Sequence, residues 1–530
     1  MDELIRVSHE PIRGRTVIAN TNLPAGVSVL VDDAYASISL CACNWCFTSI
    51  PDHVHSSCSA LLPSESTTYL FRCSRCKTVR YCSKKCQKLD WIEGNHRSEC
   101  SLWETVEQLL RSRNSKKRSQ SYPTILFVMR LTTRLFHNAS SDPIGDLCHH
   151  YGHDFGEDKL QEFHEMAQLV ILNLCRGNII KSNSLQPQEI EKSDSMRGIL
   201  LKIKKLFCIV QCNVFTICNT LNEPLGIGLY PKAAMLNHSC APNCIVRFDL
   251  NSKQAVIQTI DKILSGQELT ISYVDVFLPT PLRKNLLRSS YFFDCLCERC
   301  NCNAPDEDAF LEGFACDQCS GTSESVRILD SEKRVLRCYV CAHETHIDKE
   351  FEKLFSEWQS ALKSSDTSLL SLERQWKVAE LLQVHYKNAE RANTARALSN
   401  AWLSNPSCSE IERQLRALHY TFEEYQATEW ILPTRALPSR GLLCLSFARI
   451  LSTLAEMKSS KTVQLSARLC LFLQLESYSS HALPLLEAAR TLLHQALFIL
   501  KCGYGRSHAI IEAIETSFLA QVERAIQQIR

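Results

Sequence analysis

Cysteines and one histidine recur along this chain in close pairs: Cys43-x2-Cys46, Cys73-x2-Cys76, Cys82-x3-Cys86, His96-x3-Cys100, Cys316-x2-Cys319 and Cys338-x2-Cys341. A pair so spaced can chelate one tetrahedral Zn²⁺ from a tight turn or from one helical face, and two pairs complete a site. The alternative use of 28 cysteines is a disulfide framework, which belongs to secreted chains. The opening Met1-Asp-Glu-Leu-Ile-Arg-Val-Ser-His-Glu has no apolar core flanked by basic residues, so the expectation is no signal peptide. The pairs therefore read as zinc in a reducing compartment, cytoplasmic or nuclear. The eight ligands between residues 43 and 100 make two closed sites with no open coordination position, which argues for a structural role. Cys41 and Cys58 compete as ligands, because a long insertion separates Cys46 from Cys73. Cys316, Cys319, Cys338 and Cys341 suit a zinc ribbon, one pair on each hairpin knuckle.

Three further stretches carry chemistry. The run Gly226-Ile-Gly-Leu-Tyr-Pro-Lys-Ala-Ala-Met-Leu-Asn-His-Ser-Cys-Ala-Pro-Asn243 packs amide, imidazole and thiol into Asn237-His238-Ser239-Cys240. Glu268-Leu-Thr-Ile-Ser-Tyr273 alternates like a strand and ends on a phenol, and Cys295-Leu-Cys297-Glu-Arg-Cys300 is a compact thiol cluster. These residues resemble the SET domain of protein lysine methyltransferases, with its Asn-His-Ser-Cys signature, tyrosine strand and post-SET zinc cluster. Together with the zinc module at 43–100, they make the chain similar to the SET-and-MYND (SMYD) family over essentially its whole length.

The resemblance implies an α+β chain: a SET β-fold split by a MYND zinc module and a helical insert, then a post-SET zinc cluster, the ribbon and an all-α TPR-like C-terminal domain. The expected bounds are 1–40 for the first part of the SET domain, 41–100 for the MYND module and 101–206 for the insert. The catalytic core follows at 207–294, the post-SET segment at 295–302, the ribbon at 303–347 and the helical domain at 348–530. The resemblance also implies ligand sets. Cys43, Cys46, Cys82 and Cys86 take one ion, Cys73, Cys76, His96 and Cys100 a second, and Cys240 with Cys295, Cys297 and Cys300 a third. Tyr81, Gln87, Asp90 and Trp91 fall at the module's aromatic and polar positions.

For activity it implies methyl transfer from S-adenosylmethionine to a protein lysine, histone or otherwise. Tyr273 is the implied catalytic residue, its phenol at the methyl-transfer pore. The implied cofactor contacts are Arg13, Gly14 and Arg15 through the backbone, Asn213 at the amino-acid end, Asn237, His238, Tyr273, and Phe293 near the adenine. Thr16, Ala234 and Ala241 stand where family members carry glycine, serine and aspartate. A catalytically inactive scaffold that recruits partners is therefore the alternative. The implied partners are a substrate lysine, a proline-rich peptide at the MYND module and a protein on the C-terminal helices, with a packing-only bundle as the plain reading of those helices. The chain is expected to be a monomer.

Local patterns add detail. Residues 13–31 read as a plain hairpin turning at Pro24-Ala-Gly26, and Gly226-Ile-Gly228 as a glycine-rich turn. Cys244–Leu250 and Gln254–Ile260 read as short strands. Leu160–Leu172 has helical apolar spacing. Ser112–Ser121 reads as a basic connector, and Ser182–Ser195 as a loop. Residues 348–530 read as a helical array broken at Tyr504-Gly-Arg-Ser-His508. A formal net charge of +2 gives no global pull towards nucleic acid or anionic lipid, and the helix spacing of DNA-reading zinc fingers is missing. The sequence contains no apolar run of about 18 residues, so no membrane span is expected.

Overall fold

Gly14–Ala19 pairs antiparallel with Ile5–Glu10, from Ile5 opposite Ala19 to Glu10 opposite Gly14. Ser28–Asp33 joins a different sheet, beside Gln254–Thr259. The hairpin expected over 13–31 is thus two strands of separate sheets. Its missed partner, Ile5–Glu10, is a polar edge in which only Ile5 is fully buried, so it lacks the alternation that marks a half-buried strand. The segment between the two strands is tied elsewhere, by reciprocal backbone hydrogen bonds between Leu23 and Ile263, each 2.8 Å. The structure, a computed structural model, describes residues 3–11, 13–49, 69–111, 116–137, 143–152, 154–177, 179–180, 190, 193–301, 305–319, 325–457, 467–472 and 482–530. Cys58, residues 112–115 of the basic stretch and most of the 182–195 loop lie outside them.

The half that carries Asn237, His238 and Tyr273 is built from small sheets. Cys244–Asp249 and Gln254–Thr259 form an antiparallel hairpin that Ser28–Asp33 extends. Pro224–Leu229 lies between Ala36–Ile38 and Val214–Cys218. Gly226 and Gly228 are therefore strand residues, not a turn. Their lack of a side chain is explained by crowding: a Cβ at Gly226 would sit 2.3 Å from the Ile38 carbonyl oxygen, and one at Gly228 2.8 Å from the Tyr230 ring. The chain reverses just before, where the Asn219 side chain accepts from the Leu221 and Glu223 N–H groups. Asn237–His238 pairs parallel with Thr270–Ile271. One core unites these pieces, including Val17, Ala19, Leu30, Leu236, Ile257 and Ile271.

The MYND module hangs on two helices. Ser83 caps Lys84–Ile92 and accepts from the Cys86 N–H, which fixes Cys86 in the first turn. His96–Arg111 places His96 and Cys100 one turn apart on one face. Behind them, buried Arg130 from helix Lys116–His137 grips buried Glu99 at 2.9 Å. It also donates to the Ser37 carbonyl and lies 4.9 Å from the Trp103 ring. Asp90, beside it at 3.9 Å, accepts from Tyr81 and Asn44 at 2.7 Å each. A buried guanidinium is tolerated only when its charge and donors are matched, and here that matching joins zinc module, insert and N-terminal strands. Glu157–Arg176 is the helix read from Leu160–Leu172. Helix Asp194–Asn213 runs unbroken across the 206/207 boundary, so insert and catalytic core share one rigid element.

The ribbon is a four-stranded sheet in chain order, Phe314–Ala315, Val326–Asp330, Val335–Cys338 and Glu344–His346. Helices follow from Lys349–Leu362 onward. Ala482–Tyr504 is, among the described residues, the one helix long and apolar enough to cross a membrane by composition. Its Leu485, Leu486, Leu493 and Leu500 are buried in a core shared with Leu445, Phe447 and Leu451 of helix Pro438–Glu456. Each such leucine contributes about 1.5–3 kcal/mol, so the apolarity is that of a core helix.

Candidate active site and zinc clusters

Ligands at 2.3 Å from a tetrahedral Zn²⁺ stand about 3.8 Å from one another. The thiols meet that test. Cys46, Cys82 and Cys86 lie 3.4–3.8 Å apart in a set completed by Cys43. Cys73 is 3.7 Å from Cys100, and His96 Nε2 is 3.5 Å from Cys73 and 3.7 Å from Cys76. Cys240 lies 4.0 Å from Cys295 and 3.5 Å from Cys300, with Cys297 in the same set. Cys316–Cys341 and Cys319–Cys338 are 3.8 and 3.7 Å apart. All four sets fit zinc. Cys41 is in none of them: its thiol is 3.2 Å from the Leu225 carbonyl oxygen.

Tyr273 sits between two cavities. The larger, about 1250 Å³, is walled by Arg13, Gly14, Arg15, Asn237, His238 and Phe293. The smaller, about 850 Å³, opens between the catalytic sheets and the C-terminal helices, with Arg396 and Glu424 in its wall. Cys212, Asn213, Ala234, Tyr273 and Tyr291 line both, so these five residues form the partition between them. Tyr273 and Tyr291 rings are 4.8 Å apart, and Phe293 meets Tyr273 edge-on at 6.4 Å.

Hydrogen bonds fix the phenol. Tyr273 donates from its hydroxyl to the Leu236 carbonyl at 2.6 Å, and from its N–H to His238 Nδ1 at 2.9 Å. Burial pushes the phenol up from its ordinary value, so it is neutral and its proton is committed. Its oxygen keeps lone pairs for a donor arriving beside it. Burial holds the His238 imidazole down, at about 4. Its Nδ1 is an acceptor, and its Nε2 faces the Cys240 sulfur at 3.2 Å. Both ring nitrogens are thus engaged inside the protein, and the ring braces the tyrosine against the post-SET cluster. That cluster reaches the larger cavity through Cys295, which lines it.

The two asparagines also tie walls together. Asn213 donates to the carbonyls of Cys148 and Ile209 at 2.7 and 2.8 Å. Asn237 donates to the Arg15 carbonyl at 2.7 Å and to Glu268 at 2.9 Å. Gly14 holds φ +70° with open space where a Cβ would be, a conformation other residues rarely adopt. Thr16 does not face the cavity: it is fully buried, and its hydroxyl has no partner.

Two features escaped the sequence reading. Glu268 gathers Arg13 and Asn237, although sequence alone marks it only as the first residue of the tyrosine strand. The insert supplies Leu147, Cys148 and His150 to the wall of the larger cavity. No local signal announces either, because both arise from distant segments meeting.

The description "MYND finger" matches residues 43–100. Histone-lysine N-methyltransferase ASHR1 of Arabidopsis thaliana is 28% identical over 399 residues, 72% of this chain and 74% of that protein. Histone-lysine N-methyltransferase SMYD3 of Mus musculus is 32% identical over 250 residues, 45% of this chain and 50% of that one. The chain thus spans about half the length of this second relative. The crystal structure of the SET domain of LSMT bound to lysine and AdoHcy aligns over 83% of this chain and 86% of that one at 12% identity. Its TM-score of 0.23 is too low to bear on the fold.

Proposed function

From this kinship with SET-and-MYND proteins, we propose that the chain is a protein-lysine N-methyltransferase using S-adenosylmethionine. The observation that supports the reading is the shared wall: two cavities, read as one for cofactor and one for a peptide, that have Tyr273, Tyr291 and Asn213 in common. When bound, the cofactor would supply an electrophilic methyl on a sulfonium for displacement by a neutral lysine Nζ. The protein's part is alignment and drying. Holding two groups in line is worth about 7–11 kcal/mol of the barrier. Free lysine has a pKa of about 10.4, so burial beside the Tyr273 and Tyr291 rings must favour the neutral amine. Tyr273, whose proton is committed to Leu236, accepts from that amine and orients its lone pair. In the larger cavity Gly14, Asn237 and Phe293 would hold the cofactor.

Because the phenol is raised, the transfer rate is expected to climb with pH through the alkaline range with no limb from Tyr273, as the substrate amine loses its proton. The decisive experiment is titration of the zinc-loaded chain with S-adenosylmethionine, then transfer of labelled methyl to histones and whole-cell extract. Saturable binding with label on lysine is expected, and a chain that binds no cofactor and moves no label refutes the reading. The same reading includes a proline-rich peptide at the MYND module and a protein partner on the C-terminal helices, each tested by pull-down with the full chain.

A further inference from the structure

Cys148 stands on the wall of the larger cavity, and methyl transfer makes no use of its thiol. Its Sγ lies 2.9 Å from His150 Nε2, and His150 Nδ1 lies 2.6 Å from Asp154 Oδ2. Thiol, imidazole and carboxylate thus stand in sequence, the arrangement by which a base activates a nucleophile and a third group orients the base. The segment is firmly held. The Cys148 carbonyl accepts from Asn213, the Tyr151 N–H donates to His149 Nδ1 at 3.0 Å, and the His150 ring packs 5.3 Å from Phe292. His150 itself has φ +48°, a left-handed conformation that non-glycine residues keep only where their surroundings impose it.

Burial raises the Cys148 thiol, and the charge of Arg15 on the same wall opposes the rise. The sulfur is therefore a thiol that needs the imidazole to take its proton as it attacks. The chain holds its own comparator: Cys41 is also exposed, but its thiol faces the Leu225 carbonyl and the Ser39 hydroxyl, neither of which is a base of that strength.

We propose that Cys148, His150 and Asp154 form a base-activated thiol that is oxidised by hydroperoxides, and that its oxidation weakens cofactor binding. The sulfur attacks the distal peroxide oxygen, so an S–O bond forms and the O–O bond breaks. Sulfur is oxidised by two electrons to sulfenic acid, and the hydroperoxide is reduced to water or an alcohol. The thiol proton passes through His150 to the departing oxygen. The product places a polar oxygen in the cavity wall that Asn213 and Arg15 also line. The link to cofactor binding rests on the methyltransferase reading, whereas the reactivity of the thiol does not.

The test treats the zinc-loaded full chain with hydrogen peroxide in the presence of dimedone and maps the trapped sulfenic acids by peptide mass spectrometry. Labelling at Cys148 is expected to exceed that at Cys41 by about tenfold or more, and to fall to the Cys41 rate in His150→Ala and partway in Asp154→Asn, with zinc content showing that both variants are folded. Peroxide should weaken S-adenosylmethionine binding in the parent chain and leave that of Cys148→Ala as it was before treatment. Equal labelling of the two thiols, or an undiminished rate in His150→Ala, overturns the triad. Full oxidation of Cys148 with cofactor affinity intact overturns the effect on binding. If the untreated chain binds no cofactor, the methyltransferase reading fails, and the labelling comparison still decides the triad.

Discussion

The cluster of Cys240, Cys295, Cys297 and Cys300 and the cluster of Cys316, Cys319, Cys338 and Cys341 offer the same four thiols to opposite surroundings. In the first, Cys240, Cys295 and Cys297 are buried, and the fully buried Arg283 and nearly buried Arg299 stand close by, Arg299 donating to the Cys240 carbonyl at 3.0 Å. Four thiolates on Zn²⁺ carry a net double negative charge, and burying that without nearby cations is costly. His238 and Cys295 then join this charged centre to the tyrosine and the larger cavity. In the second, Cys316 and Cys338 are buried as well, but Cys341 is exposed, so water does part of the screening. The ribbon reaches the helical array instead, through Arg327 to Gln383 at 2.6 Å. Identical ligands thus serve two ends: one cluster is wired to the chemistry, while the other fastens modules.

Cys297→Ser should have the largest effect, removing one zinc equivalent and abolishing cofactor binding and transfer together. Metal analysis with titration checks this, and zinc loss with unchanged affinity would erase the contrast. Tyr273→Phe touches neither cluster. It is expected to slow transfer by about a hundredfold with full zinc content, separating loss of chemistry from loss of metal. Arg283→Met leaves the buried dianion short of a counter-charge. Zinc should then pass to a chelator about tenfold more readily from this site, while the ribbon zinc is released at its usual rate. Cys341→Ser should do least: one zinc is lost, the melting temperature falls, and methyl transfer by the folded enzyme is unchanged. A drop in transfer as large as that of Cys297→Ser would show that the ribbon, too, is wired to the site.

The thiol sets were legible because a chelating pair is local: x2 and x3 spacings survive whatever the rest of the chain does. The amide–imidazole–thiol run and the tyrosine strand were legible for the same reason. What the sequence hid was tertiary. Ile5–Glu10 is an edge whose polar side chains disguise a strand. Gly226 and Gly228 resembled a turn, and only the Ile38 carbonyl against Gly226 and the Tyr230 ring against Gly228 explain them. Cys148 and His150 lie in the insert, with no motif around them, and they reach the cavity because helix Asp194–Asn213 carries Asn213 to their side. Glu268 owes its place to Arg13, 255 residues away.

The wall of Cys212, Asn213, Ala234, Tyr273 and Tyr291 has a separate cavity on each side. On the methyltransferase reading, a spent cofactor leaves by the cavity it entered while the peptide stays seated in the other, and a fresh one takes its place. The same side chain can then be serviced repeatedly within one encounter, limited by the room the two tyrosine rings leave for a bulkier amine.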